Sequence, residues 1–139
     1  PLLEQIDEQF KKFKKIFGFI PSHLDYHKFL GNLDCVRAIN YFGEKESLPV
    51  RYMEIKPKTK HTTHNVFFPI PFDIQKVIKF LQNLKDRESC EIICHPGKYD
   101  VNCKSSLNKE REQDYEGIIK LQDYLKKHPE IKNISYNEL

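Results

Sequence analysis

Apolar residues at Leu3, Ile6, Phe10, Phe13, Phe17 and Ile20 recur at alternating steps of three and four, with lysines and acids between them. The stripe predicts an amphipathic helix over 2–17, stopped by Gly18 and Pro21. It lasts under three heptads, so packing onto a sheet is expected rather than a coiled-coil seam. His23-Leu24-Asp25-Tyr26-His27 is short enough for a strand, and Gly31-Asn32 reads as a turn and cap. Leu33, Val36, Ile39 and Phe42 mark a helix over 33–43, and Leu48 to Ile55 reads as a strand with Pro49 at its start. Residues 56–72, with three prolines, are expected to form a long loop.

Asp73 is positioned as an N-cap for a helix whose face runs through Ile74, Val77, Ile78, Leu81 and Leu84. Cys90 to Cys94 is a short apolar run closed by His95-Pro96-Gly97, a buried strand ending in a turn. A helix around 109–127, with Tyr115, Ile118, Leu121 and Leu125 inward, stops at His128-Pro129, and Ile131 to Tyr136 reads as a last strand. Strands alternating with helices predict an α/β fold, a parallel sheet built from right-handed crossover units. There is no internal repeat or linker, so residues 1–139 read as a single domain.

Composition narrows the function classes. The 139 residues are 39% apolar and 31% charged, with a formal net charge of +3. That surplus is too mild to argue for nucleic acid. The lysines of 2–17 read as a solvated face, because the aromatics lie on the opposite stripe. No apolar run approaches the ~20 residues that span a bilayer, and no charged-then-apolar leader opens the chain. Cys35, Cys90, Cys94 and Cys103 show no C-x-x-C spacing. On one strand Cys90 and Cys94 would lie roughly 13 Å apart, too far to bridge. Reduced thiols in a cytoplasmic protein are expected, and the sequon Asn133-Ile134-Ser135 is then fortuitous. A complete eight-fold (β/α) barrel, at ~250 residues, is excluded by length.

Two constellations could carry chemistry. On a strand His23, Asp25 and His27 project to one face at steps of roughly 6.6 Å. That spacing disfavours chelation of one ion by all three and suits one metal-bound His oriented by the carboxylate. A polar strand end with satisfied histidines fits it too. In the second constellation Glu91, Ile93 and His95 share a face, opposite Cys90, Ile92 and Cys94. His95 falls at the carboxyl end of its strand, where parallel α/β folds gather catalytic groups. An imidazole there can serve as general acid or base, or simply cap a turn. His61-Thr62-Thr63-His64 is an H-x-x-H of low specificity. A Cys94–His95 thiol pair is disfavoured, because strand neighbours point to opposite faces.

Several segments resemble a known family. Phe17-Gly18-Phe19-Ile20-Pro21-Ser22-His23-Leu24-Asp25-Tyr26-His27 is similar to the G-x-x-P-x-H-L-D-x-H segment of YdjC-like carbohydrate deacetylases. Glu91 to Gly97 resembles their E-[LVI]-[MI]-C-H-P-G strand, Arg111 to Glu116 their R-E-x-E-L-E, and Ile131 to Leu139 their closing strand. The resemblance implies the C-terminal half of a TIM-like (β/α) barrel. It also implies a metal-dependent hydrolase that removes N-acetyl groups from amino sugars such as chitooligosaccharides, with a divalent ion, Mg or Zn. It assigns metal binding to His27, a catalytic acid to His95, and supporting places to His23 and Asp25, the latter also a candidate catalytic carboxylate. Glu91 and Arg111 are possible bracing residues.

Departures from the family pattern matter as much. Phe29 and Gly31 stand where the family's H-x-H-x-H continues, and neither an A-D-D-F-G nor a G-x-H motif is present. The chain is therefore expected to bind metal poorly, to be inactive alone, and to self-associate or pair with an N-terminal half. The alternative is a non-catalytic remnant serving sugar binding or protein interaction.

Overall fold

The structure is a computed structural model that describes residues 2–25, 32–53, 55–58 and 62–139. It contains helices α1 (Leu2–Phe17), α2 (Leu33–Glu46), α3 (Ile74–Gln82) and α4 (Arg111–Lys127), and strands β1 (Asn65–Phe67) and β2 (Cys90–Ile92). The chain divides into two compact units, residues 1–64 with 134–139, and residues 65–133.

In the first unit the apolar stripe of α1 meets α2, with Phe10 edge-on to Phe42 at 5.4 Å between ring centroids. The helix thus packs against another helix, where a sheet was expected, and none of its residues is fully buried. Asn32 caps α2 by accepting from the N–H groups of Asp34 and Cys35, satisfying donors that a helix start leaves open. Ser47 ends α2 in the left-handed region, at φ 55°. Leu48 N–H then donates to Gly43 O at 2.9 Å, turning the chain back along α2. Val36, Phe42, Leu48 and Val50 are buried. Buried Asn40 donates to Ile55 O at 3.1 Å, tying the returning segment to α2.

The two expected strands of this unit meet in one parallel bridge, Leu24 with Val50. Pro49 supplies a carbonyl to Leu24 N–H but has no N–H of its own, which limits the ladder. Residues 26, 27 and 54 of those expected strands lie outside the described residues. Ile131 to Tyr136 is not a strand. A short 3₁₀ turn, Tyr136–Glu138, closes the chain, with Ser135 and Glu138 capping each other reciprocally.

Close packing at Gly43 yields a prediction. A Cβ there would overlap Val50 Cγ2 and lie 3.2 Å from Leu48 O. Alanine gains about 1 kcal/mol of helix propensity, against an overpacking cost of about 1–3 kcal/mol. Gly43→Ala is therefore expected to lower the urea midpoint. A midpoint above the parent's would show that Val50 yields freely.

The second unit is built on β1 and β2, paired in parallel with Val66 opposite Glu91. β1 falls within the stretch 56–72 expected to be loop. Asp73 caps α3 as expected, accepting from Gln75 and Lys76 N–H. Buried Phe72, Val77 and Leu81 form the core, joined by Phe67, Cys90, Ile92, Cys94, Ile118, Leu121, Tyr124 and Ile131. Tyr115, expected to point inward, is 56% exposed, and Asp114 and Gly117 occupy the inner face of α4 instead. The loop before α4 is gathered by buried Asn108, which accepts from Asp100 N–H and donates to the carbonyls of Asp100 and Cys103.

Candidate functional site

Strand alternation sets the chemistry of β2 and the residues that follow it. Cys90, Ile92 and Cys94 pack on the core, so Glu91, Ile93 and His95 face the other way, as the spacing predicted. Ile93 N–H donates to Phe67 O at 3.0 Å, carrying the ladder one residue past β2. His95 therefore stands just beyond the carboxyl end of the sheet. Phe68, which follows β1, sets its ring beside the His95 imidazole, 5.8 Å between centroids. His95 Nδ1 is buried and has no hydrogen-bond partner among the described residues.

The turn His95-Pro96-Gly97 is fixed at both ends to the first turn of α4. His95 N–H donates to Asp114 Oδ2 at 2.6 Å, and Gly97 N–H donates to Arg111 O at 3.1 Å. The Arg111 side chain runs alongside Gly97, its Nη1 3.4 Å from where a Cβ would stand. The turn is thus anchored by the Arg111 backbone carbonyl. Burial pushes the Cys94 thiol upward, and the neighbouring Asp114 carboxylate adds to that shift. A raised thiol pKa leaves less thiolate at neutral pH and weakens Cys94 as a nucleophile. Burial raises the Cys90 thiol as well. All four cysteines are free.

The H-L-D-x-H segment belongs to the first unit. Leu24 points toward α2, and His23 and Asp25 flank it. His23 Nδ1 is 3.0 Å from Ser22 Oγ, and the ring stacks on Tyr136 at 4.0 Å, nearly parallel to it. Asp25 Oδ2 forms an ion pair with Arg51 Nη1 at 2.8 Å. His27, the expected metal ligand, lies outside the described residues, as do Phe29, Gly31 and His61.

Among the described residues no three His, Cys, Asp or Glu side chains converge as a metal centre requires. Asp25 is already engaged by a guanidinium. The described donors thus do not fit a divalent ion by themselves. Also among the described residues, no helix is long and apolar enough to cross a membrane.

Asp114 is the buried residue beside His95 that spacing missed. Its carboxylate is 2% exposed and accepts two backbone N–H groups, from His95 and from Phe72. The only signal was its place as the second acid of the R-E-x-E-like run that begins at Arg111.

No family model matches the chain. It is 28% identical over 107 residues to the carbohydrate deacetylase of Clostridium beijerinckii, covering 70% of this chain and 43% of that protein. Against the carbohydrate deacetylase of Geobacillus stearothermophilus it is 27% identical over 90 residues, 61% of this chain and 37% of the other. The chain thus spans about two fifths of the length of these curated relatives. The crystal structure of a proposed cellobiose-phosphate cleavage protein from Enterococcus faecalis V583 superposes with a TM-score of 0.74 at 20% identity. That match covers 98% of this chain and 60% of that one, and it speaks to the fold alone. The chain is thus similar to two curated carbohydrate deacetylases, in keeping with the resemblance of its His-bearing segments to the YdjC-like family.

Proposed function

We propose that this chain supplies part of a carbohydrate deacetylase, a carbon–nitrogen hydrolase acting on N-acetylated amino sugars such as chitooligosaccharides. In this reading residues 1–139 form a single domain, the C-terminal half of a (β/α) barrel. It is inactive alone and pairs with an N-terminal half or with itself. The observation that carries the reading is the placement of His95, in a chain similar to carbohydrate deacetylases. His95 follows β2 at the carboxyl end of the parallel pair, with Phe68 beside its imidazole.

Hydrolysis of an acetamide breaks the C–N bond, and the departing nitrogen must gain a proton. A positioned imidazole can donate it at neutral pH. The turn fixed to α4 holds the His95 backbone, and Phe68 shields one side of its ring. Asp25, held by Arg51, serves to order its own segment rather than as a free base. A divalent ion would polarise the carbonyl. Its site needs donors beyond those described, His27 among them.

The isolated chain is expected to release no acetate from N-acetylated chitooligosaccharides with added Mg, Zn or Co. Mixing it with an N-terminal segment that carries A-D-D-F-G and G-x-H should restore turnover. His95→Ala should then lower kcat by about 10²–10⁴-fold. Turnover by the chain alone would overturn the claim of incompleteness, and restored activity indifferent to His95→Ala would remove His95 from the chemistry. Phe29 and Gly31, standing where the family has histidines, favour the second reading of a sugar-binding remnant. Calorimetric sugar binding without any restorable turnover would decide for it.

A further inference from the structure

Asp114 is buried, ionisable and unused by the mechanism above. Its place in the fold explains what it can do. β1 and β2 are parallel, so the segments leaving both carboxyl ends must turn toward helices, and their N–H groups lose ladder partners. Phe72 lies on the first such segment and His95 on the second. Both N–H groups converge on one carboxylate, Phe72 on Oδ1 at 3.3 Å and His95 on Oδ2 at 2.6 Å. Asp114 sits in the first turn of α4, at the helix end that favours negative charge. Its neighbour Gln113 donates to Phe72 O at 3.1 Å, so Phe72 is held by both its N–H and its carbonyl.

Resting on the reading of His95 as the acid, we propose that Asp114 is a positioning residue that sets the His95 ring by gripping its backbone. The grip is short and involves a carboxylate, the strongest class of such bonds. It acts one residue before Pro96, whose ring already restricts His95 to extended backbone. With the backbone held, with Gly97 N–H on Arg111 O, and with Phe68 beside the ring, the imidazole has little room to swing. Asp114 also makes the two carboxyl-end segments answer to one group. A shift of the Phe72 segment is therefore transmitted to His95 through a single side chain.

The test uses the full chain with labelled histidine and backbone nitrogen, observed by NMR. In the parent, the His95 amide proton should resonate far downfield and exchange slowly, a measurement that needs no variant. In Asp114→Asn, the His95 ring resonances should move and broaden while those of His128 stay in place. Asp114→Glu should bring them part of the way back. A purely structural role would lower the melting temperature yet leave the ring signature of the folded protein unchanged. Unshifted His95 ring signals in a folded Asp114→Asn protein overturn the proposal, as does a rapidly exchanging His95 amide in the parent. None of these signals depends on deacetylation. Failure of the proposed function would leave them intact, and failure of the positioning role would leave the activity test standing.

Discussion

Phe72→Ala is expected to destabilise the protein by about 3–5 kcal/mol, the range for emptying a buried aromatic site. Phe72 is 3% exposed and belongs to the core cluster with Val77 and Leu81. Its ring also lies on Gly117 of α4, where a Cβ would overlap Cδ1 and come within 2.7 Å of Cε1 and Cγ. Loss of the ring thus opens a void between α3, α4 and the sheet, which backbone fixed at Asp114 and Gln113 cannot collapse to fill. Equilibrium urea unfolding reads the change. A loss under about 1 kcal/mol would mean that the site closes freely.

The same contact makes a sharper demand. Gly117→Ala should destabilise on its own, although alanine is the better helix former by about 1 kcal/mol. Placed on Phe72→Ala, the same change should be neutral or stabilising, because the methyl enters the vacated space. The sign reversal measures the coupling directly. Additive effects would show that the ring and the helix do not press on each other.

Much of this was legible in the sequence, for reasons that differ by element. The four helices were, because apolar spacing and the caps Asn32 and Asp73 agree. The face alternation of β2 was legible too, and with it the placement of His95. The short strand β1 was not. Three residues set among Pro57, Pro69 and Pro71 carry no alternating pattern, and their conformation is decided by pairing with β2, a tertiary choice. Apolar periodicity points Tyr115 inward on α4, because it cannot see Asp114 or Gly117. One is polar and buried for its hydrogen bonds, the other is inward because Phe72 leaves no room for a side chain. Ile131 and Ile134 suggest a strand in the final segment, although Ser135-x-x-Glu138 carries the capping pattern of a helical turn. The ion pair of Asp25 with Arg51 joins residues 26 positions apart, beyond the reach of local spacing.

Asp114→Leu is expected to cost roughly 2–6 kcal/mol, since two buried N–H groups each forfeit about 1–3 kcal/mol when left without an acceptor. Leucine matches the branching of aspartate but is bulkier, so overpacking adds to the loss of the hydrogen bonds. Asp114→Asn should cost less. Its single amide oxygen can still serve His95 or Phe72, while its NH₂ group must face the other donor. The order Leu worse than Asn, at an unchanged denaturant slope, is the signature of an acceptor shared by two backbones. Equal losses would assign the effect to shape, and Asp114 would then hold the two segments by volume rather than by charge. A buried carboxylate would be a poor choice for that, because desolvating it costs free energy that an apolar residue avoids. The chain keeps the carboxylate at 2% exposure, which makes sense only if both N–H groups repay the cost.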